Sequence, residues 1–227
     1  MMKYDGIFDD IEPLRAIWVG DSVGDDADLA RAADVAINMA AAFVSMPDGL
    51  VGTFWPWVED KNMKILARID FEFGADDANA DDEISAFAKH ITATFKNGAS
   101  GAQVFVPYPQ ITQFVDAIHP IRNDLFFDRY LSIGLDVDGM DDMDWGDIFE
   151  KIMKIKPDSI LLFGRVEKFN PNSNFVGCIF DMLENWKPGP DLHLMFGKNT
   201  LRVAQVLRLT EKMRPEVLKN MRVFVEK

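Results

Sequence analysis

Cysteine is almost missing from this sequence: Cys178 is the only one among 227 residues. No intrachain disulfide can form, and Cys178 itself reads as a small buried apolar residue, which suits a reducing compartment. Long apolar runs are also missing, since no stretch approaches the roughly 18 residues that a membrane span needs. The opening Met1-Met2-Lys3-Tyr4-Asp5-Gly6-Ile7-Phe8-Asp9-Asp10 lacks the apolar centre of a secretory leader. A cytoplasmic location with no membrane partner is the expectation. Positive charge is scarce, with 24 Lys and Arg against 37 Asp and Glu and a formal net charge of -13. Such a field repels nucleic acid phosphate, so no nucleic acid partner is expected, and a small anionic substrate would need a local basic pocket.

Histidine is nearly as rare. His90, His119 and His193 show no metal-ligand spacing, and His193, within an apolar run, reads as a satisfied core or interface group rather than a catalytic base. No nucleophile-elbow pattern surrounds Ser45, Ser132 or Ser159, which disfavours a serine hydrolase. No glycine-rich dinucleotide loop follows the first apolar run.

What is present is a recurrence of short apolar runs separated by helix-period stretches. The runs are Ala16–Val19, Ala42–Ser45, Ile65–Ile69, Gln103–Val106, Leu131–Leu135, Ile160–Phe163, Leu192–Phe196 and Arg222–Val225. Ile84, Phe87, Ile91 and Phe95 form a helical stripe between an acidic start and a glycine stop at Asn97-Gly98. Ile111 to Ile118 and Ile148 to Ile155 form two more, each ending before a proline. Thr200 to Met213 is a fourth, and Asp26 to Asn38 a weaker one. Strand-helix alternation at this spacing predicts one (β/α)8 TIM-type barrel domain over residues 1–227, with an open doubly wound sheet as the alternative. The sequence finishes directly after the eighth run, so the final helix is short, missing or supplied by the segment before Arg15.

Barrel chemistry gathers at the C-terminal ends of strands. That rule selects Asp21 and Ser22 after strand one, Asp48 after two, Arg68, Asp70 and Glu72 on three, and Tyr108 after four. It adds Asp136 and Asp138 after five, Arg165, Glu167 and Lys168 after six, and Gly197, Lys198 and Asn199 after seven. Converging carboxylates can hold Mg²⁺ or Mn²⁺ through oxygen. The acid run from Asp136 to Asp144 also fits a solvated helix start. The turn at Gly197, Lys198 and Asn199 could present an amine and backbone amides to an anion. Lys64 begins its strand and faces the wrong end for a Schiff base. Phe54-Trp55-Pro56-Trp57 reads as packing under a helix, as a cap over the barrel mouth or as a subunit contact.

The passage Asn97-Gly98-Ala99-Ser100-Gly101-Ala102-Gln103-Val104-Phe105-Val106-Pro107 resembles the entry to the fourth strand in the HpcH/HpaI aldolase family of metal-dependent barrels. Trp18-Val19-Gly20, Arg68 and Phe163-Gly164-Arg165-Val166-Glu167 run parallel more loosely. The resemblance implies a metal held by Asp136 and Glu167, and Arg68 holding an oxyacid. The family's histidine after strand two has no counterpart in Met46-Pro47-Asp48-Gly49-Leu50. A second resemblance is to the ribulose-phosphate-binding barrels, which hold phosphate after strands seven and eight. The expected function is a divalent-metal-dependent carbon-carbon lyase of aldolase type acting on a small 2-oxo or hydroxy acid. Arg68 and Asp70 are its catalytic candidates, and Arg68, Gly197, Lys198 and Asn199 its substrate-binding candidates. Alternatives are a sugar-phosphate barrel of decarboxylase, epimerase or synthase type and a non-catalytic binding or assembly module. A homo-oligomer stays open.

Overall fold

The computed structural model describes residues 15–23, 25–72, 80–138, 145–164, 175–197 and 200–226. In chain order the elements are β1 (Arg15–Trp18), α1 (Asp26–Asn38), β2 (Phe43–Pro47), α2 (Val51–Val58), β3 (Lys64–Asp70) and α3 (Ala80–Lys96). They continue with β4 (Gly101–Phe105), α4 (Ile111–Ile118), α5 (Arg122–Leu125), β5 (Tyr130–Asp136), α6 (Trp145–Met153) and β6 (Ser159–Phe163). The last are α7 (Phe175–Glu184), β7 (Asp191–Met195), α8 (Thr200–Met213), α9 (Pro215–Leu218) and β8 (Arg222–Glu226). The strands pair in parallel and in sequence order into a closed barrel, as the apolar runs predict. Strand β8 reaches Glu226, one residue before the end of the sequence.

Side chains alternate along each strand between the barrel interior and the surrounding helices. Outward residues such as Ile17, Val44, Ile133 and Leu194 join the helix stripes in two large cores. In α4, Ile111, Phe114, Val115 and Ile118 are buried at the predicted spacing. Full burial of a Phe such as Phe114 contributes about 1.5–3 kcal/mol. Helix α1 starts where the Asp25 carboxylate accepts the Asp28 amide at 2.7 Å, so the weaker helix signal carries a good cap. Gly98 takes a φ of +108° after α3, and a Cβ there would strike Trp55 at 2.5 Å.

Strand pairing is uneven around the barrel. Five residue pairs register β3 with β4, but only Ile17 with Val44 and Trp18 with Ser45 register β1 with β2. Only His193 with Arg222 and Leu194 with Val223 register β7 with β8, whereas β8 and β1 share four pairs.

Two elements differ from expectation. Residues 51–58 form α2 despite Pro56, with Phe54 buried in the outer core and Trp55 and Trp57 packed against it, so this segment does not cap the mouth. Helix α7 was not among the helical stripes picked out above: Phe175, Cys178, Ile179, Met182 and Leu183 are buried at helical spacing, but the exposed Val176 and Phe180 blur that face in the sequence. Among the described residues no helix is long and apolar enough to cross a membrane.

Candidate active site at the C-terminal mouth of the barrel

The interior is layered. Lys64 stands over the Tyr130 ring at 4.6 Å at the N-terminal end. Burial, the main cause, pushes the Tyr130 phenol well above its ordinary value. Next comes His193, fully buried, with its ring 5.1 Å from that of Phe43 and 5.6 Å from that of Phe224. Among the described residues neither His193 ring nitrogen has a hydrogen-bond partner. Burial chiefly, then the charges of Arg222 and Lys64, lowers its pKa to about 3. The imidazole is therefore neutral at physiological pH, and the expectation of a satisfied core histidine is corrected on the missing partners.

Across the middle runs a polar chain. Ser45 Oγ donates to Gln103 Oε1 at 2.6 Å, Gln103 Nε2 donates to Ser132 Oγ at 3.4 Å, and Ser159 Oγ donates to Ser132 Oγ at 2.9 Å. All four side chains are completely buried. These serines therefore satisfy one another inside the barrel.

Arg68 lies above this chain. Its guanidinium sits 4.1 Å over the Trp18 ring. Nη2 donates to the Val19 carbonyl at 2.7 Å and to Asp21 at 2.5 Å, and Nη1 donates to the Ser45 carbonyl at 3.3 Å. Three of its five N–H groups are thus engaged, tying β3 to β2 and to the end of β1. The Arg68 side chain is 8% exposed and that of Asp21 is 86% exposed. Burial pulls the Arg68 pKa below its ordinary value, opposed by Asp21, Asp70 and Glu226. A guanidinium stays charged at any pH the fold survives.

Around this cation the mouth is largely aromatic. Phe105 meets Trp18 edge-on at 6.0 Å and Phe163 at 4.9 Å, and Met195 packs against the same cluster. Gly134 makes room for Phe105, since a Cβ there would meet its ring at 2.7 Å. Asp70, Asp136 and Glu226 end their strands on the register rows of Phe105, Phe163 and Trp18. A cavity of about 770 Å³ opens between α1 and the loops and strand ends beside it, lined by Gly20 and Ser22, by Asp28 and Arg31 of α1, and by Gly197 and Glu226.

Several expected candidates lie elsewhere. Asp48 pairs with His90 of α3 at 2.7 Å on the outside. Tyr108 packs against the outer core. Asp138 is 1% exposed and forms a 2.7 Å ion pair with Arg202 of α8, itself 5% exposed and 4.7 Å from the Phe175 ring. Asp136 Oδ1 accepts the Asp138 amide at 2.9 Å, which fixes that turn. Glu72 is exposed beyond β3. Arg165, Glu167, Lys168, Lys198 and Asn199 fall outside the described residues. Among the described residues no group of three His, Cys, Asp or Glu could hold a metal ion. Asp136 is the described member of the expected metal pair, and Glu167 lies outside the described residues. Trp18, Phe105, Phe163 and Glu226 are mouth residues that the loop-end rule passed over. The aromatic residues look like core in a sequence, whereas Glu226 could have been found from the alternation of Arg222, Phe224 and Glu226.

No protein-family model and no curated protein matches the chain. Solved structures do match. "QR15, an Aldolase" has a TM-score of 0.69 at 10% identity, covering 95% of this chain and 91% of its own. A tetrameric deoxyribose phosphate aldolase from Aeropyrum pernix has a TM-score of 0.66 at 10% identity, covering 88% and 83%. Orotidine 5'-phosphate decarboxylase from Pyrococcus horikoshii OT3 has a TM-score of 0.56 at 12% identity, covering 92% and 88%. These likenesses do not support the HpcH/HpaI resemblance, which rested on the short passage from Asn97 to Pro107. What the chain shares with these aldolases and this decarboxylase is the (β/α)8 barrel fold.

Proposed function

We propose that this barrel is a carbon-carbon lyase of the aldolase or sugar-phosphate kind, acting at the C-terminal mouth on a small anionic carbonyl compound. One observation carries the reading. Arg68 is a buried cation of β3 bonded to β2 and to the end of β1 at the mouth, and among the described residues its ion-pair partner is the exposed Asp21 carboxylate. Asp21 stands where an anionic group of the substrate would bind, and the remaining guanidinium N–H groups would complete its hold. The rings of Trp18, Phe105 and Phe163 exclude water, so the fixed charge acts in a low-dielectric setting on the oxygen where negative charge develops. Asp70, exposed at the end of β3, is the group placed to exchange a proton at the rim. The cavity beside Gly197 is the place for a phosphate or other polar end of the substrate.

The aldolase names among the structural relatives support carbon-carbon cleavage over other barrel chemistries, and the decarboxylase supports a phosphorylated substrate. The test is to follow aldehyde release from deoxyribose 5-phosphate and from a panel of 2-oxo and hydroxy acids. Turnover should fall at least about a hundredfold in Arg68→Met, the scale for one preorganised electrostatic donor. No turnover across the panel, or turnover unchanged in Arg68→Met, overturns the proposal.

A further inference from the structure

At the N-terminal end of the barrel, opposite the mouth, lies a second cavity of about 860 Å³. Its walls carry Lys64, Arg122, Arg129, Lys154 and Lys156 against only Asp128 and Asp158, in a protein whose formal net charge is -13. The two arginines are committed to the wall. Arg122 donates to Asp158 at 3.1 Å and to the Phe126 carbonyl at 3.1 Å. Arg129 donates to the Ala99 carbonyl at 3.1 Å and pairs with Asp128 at 3.5 Å. Both carboxylates are thereby spent. Lys64, Lys154 and Lys156 keep no carboxylate partner among the described residues.

Two further observations set this apart from a solvated surface. Lys156 has a φ of +48°, in the left-handed region, where a residue with a Cβ costs about 1–2 kcal/mol. Glycine would relieve that cost and remove the amine. Phe127, on the same cavity wall, is 90% exposed, and nothing described covers it. The volume falls in the range of small-molecule sites. Three lysines line this one cavity, Lys64 with its amine over the Tyr130 and Phe43 rings, and such a wall suits a ligand with two or more negative charges, whereas a large polyanion would meet the repulsion of the rest of the molecule.

We propose that this cavity binds a small polyanion of the phosphate-ester class, its charge on Lys64, Lys154 and Lys156 and its organic part against Phe127. The site stands apart from the mouth and from the reaction proposed there.

Calorimetric titration with pyrophosphate and with ADP at constant ionic strength tests it. Both probes should bind saturably, one per chain. Lys156→Gly and Lys154→Ala should each weaken both by about tenfold, the loss of roughly one charge-assisted contact. Lys156→Gly should melt no lower than the wild type, because it relieves the left-handed strain, so its loss of binding cannot be ascribed to misfolding. Phe127→Ala should weaken ADP and leave pyrophosphate unchanged. The assignment is overturned if neither probe gives a saturable heat, or if Lys156→Gly and Lys154→Ala together leave both affinities unchanged. It is equally overturned if the heat disappears in Arg68→Met, which places it at the mouth, or if only anionic phospholipid vesicles bind.

Discussion

Replacing His193 with leucine should make this protein more stable, and increasingly so in acid. His193 is fully buried with both ring nitrogens unpaired among the described residues. An unsatisfied buried polar group costs about 1–3 kcal/mol, and leucine of similar size removes it. That gain should be present at neutral pH. The pH-dependent part follows from linkage. The folded pKa is depressed to about 3 from 6.5, so below 6.5 the unfolded chain binds a proton that the folded chain refuses. The wild type therefore keeps its full His193 contribution above 6.5 and loses it as pH falls towards about 3. The slope is about 1.36 kcal/mol per pH unit, or about 2.7 kcal/mol two units below the unfolded pKa. Urea unfolding of wild type and His193→Leu at about pH 7.5, 5.5 and 4.5, with equal m-values, isolates this term because the carboxylates are common to both proteins. Stability curves that run parallel through the acid range would refute the reasoning, as would a variant less stable at pH 7.5.

Three other outcomes are expected. Arg202→Met leaves the Asp138 carboxylate buried without its cation and should cost about 3–5 kcal/mol by chemical denaturation, while Asp138→Leu with Arg202→Met should recover most of it. Asp21→Ala frees Arg68 from its exposed counter-ion and should tighten binding of a small carboxylate or phosphate at the mouth by about three- to tenfold in calorimetry, with little change in melting temperature. Dialysis against EDTA should leave turnover unchanged under the proposed mechanism, and a loss restored by Mn²⁺ but not in Asp136→Ala would instead establish the Asp136 and Glu167 pair.

The barrel was legible because its strands are apolar on both faces at their centres and punctuated by glycine, asparagine and proline. Ile65, Leu66 and Ala67 or Ile160, Leu161 and Leu162 read as buried strand between turn residues, and the spacing of eight such runs favoured the closed barrel over the open sheet that the count alone also allowed. Arg68 was legible for the same reason, as a charge that interrupts an apolar strand. The partners of that charge were not. Asp21 reaches it from forty-seven residues away, and the backbone carbonyls it binds have no sequence signature. Asp138 looked like one more acid in an acidic run, and only the packing of α8 shows it buried against Arg202. Lys64 was rightly placed at the far end, but its convergence with Lys154 and Lys156 depends on how the start of β3 meets the connection between α6 and β6, ninety residues on.

The thin pairing on either side of the β8 and β1 couple bears on how the barrel assembles. Strands β2 to β7 share long registers and can form an open curved sheet by adding neighbours one at a time, at low loop-closure cost. Strands β8 and β1, from opposite ends of the chain, share four residue pairs with each other but only two with each flanking strand. Such a clasp should be fastened last and released first. Amide exchange should therefore report early sub-global opening at Ile17, Val44 and Leu194, while Val104 and Ile133 remain protected up to global unfolding.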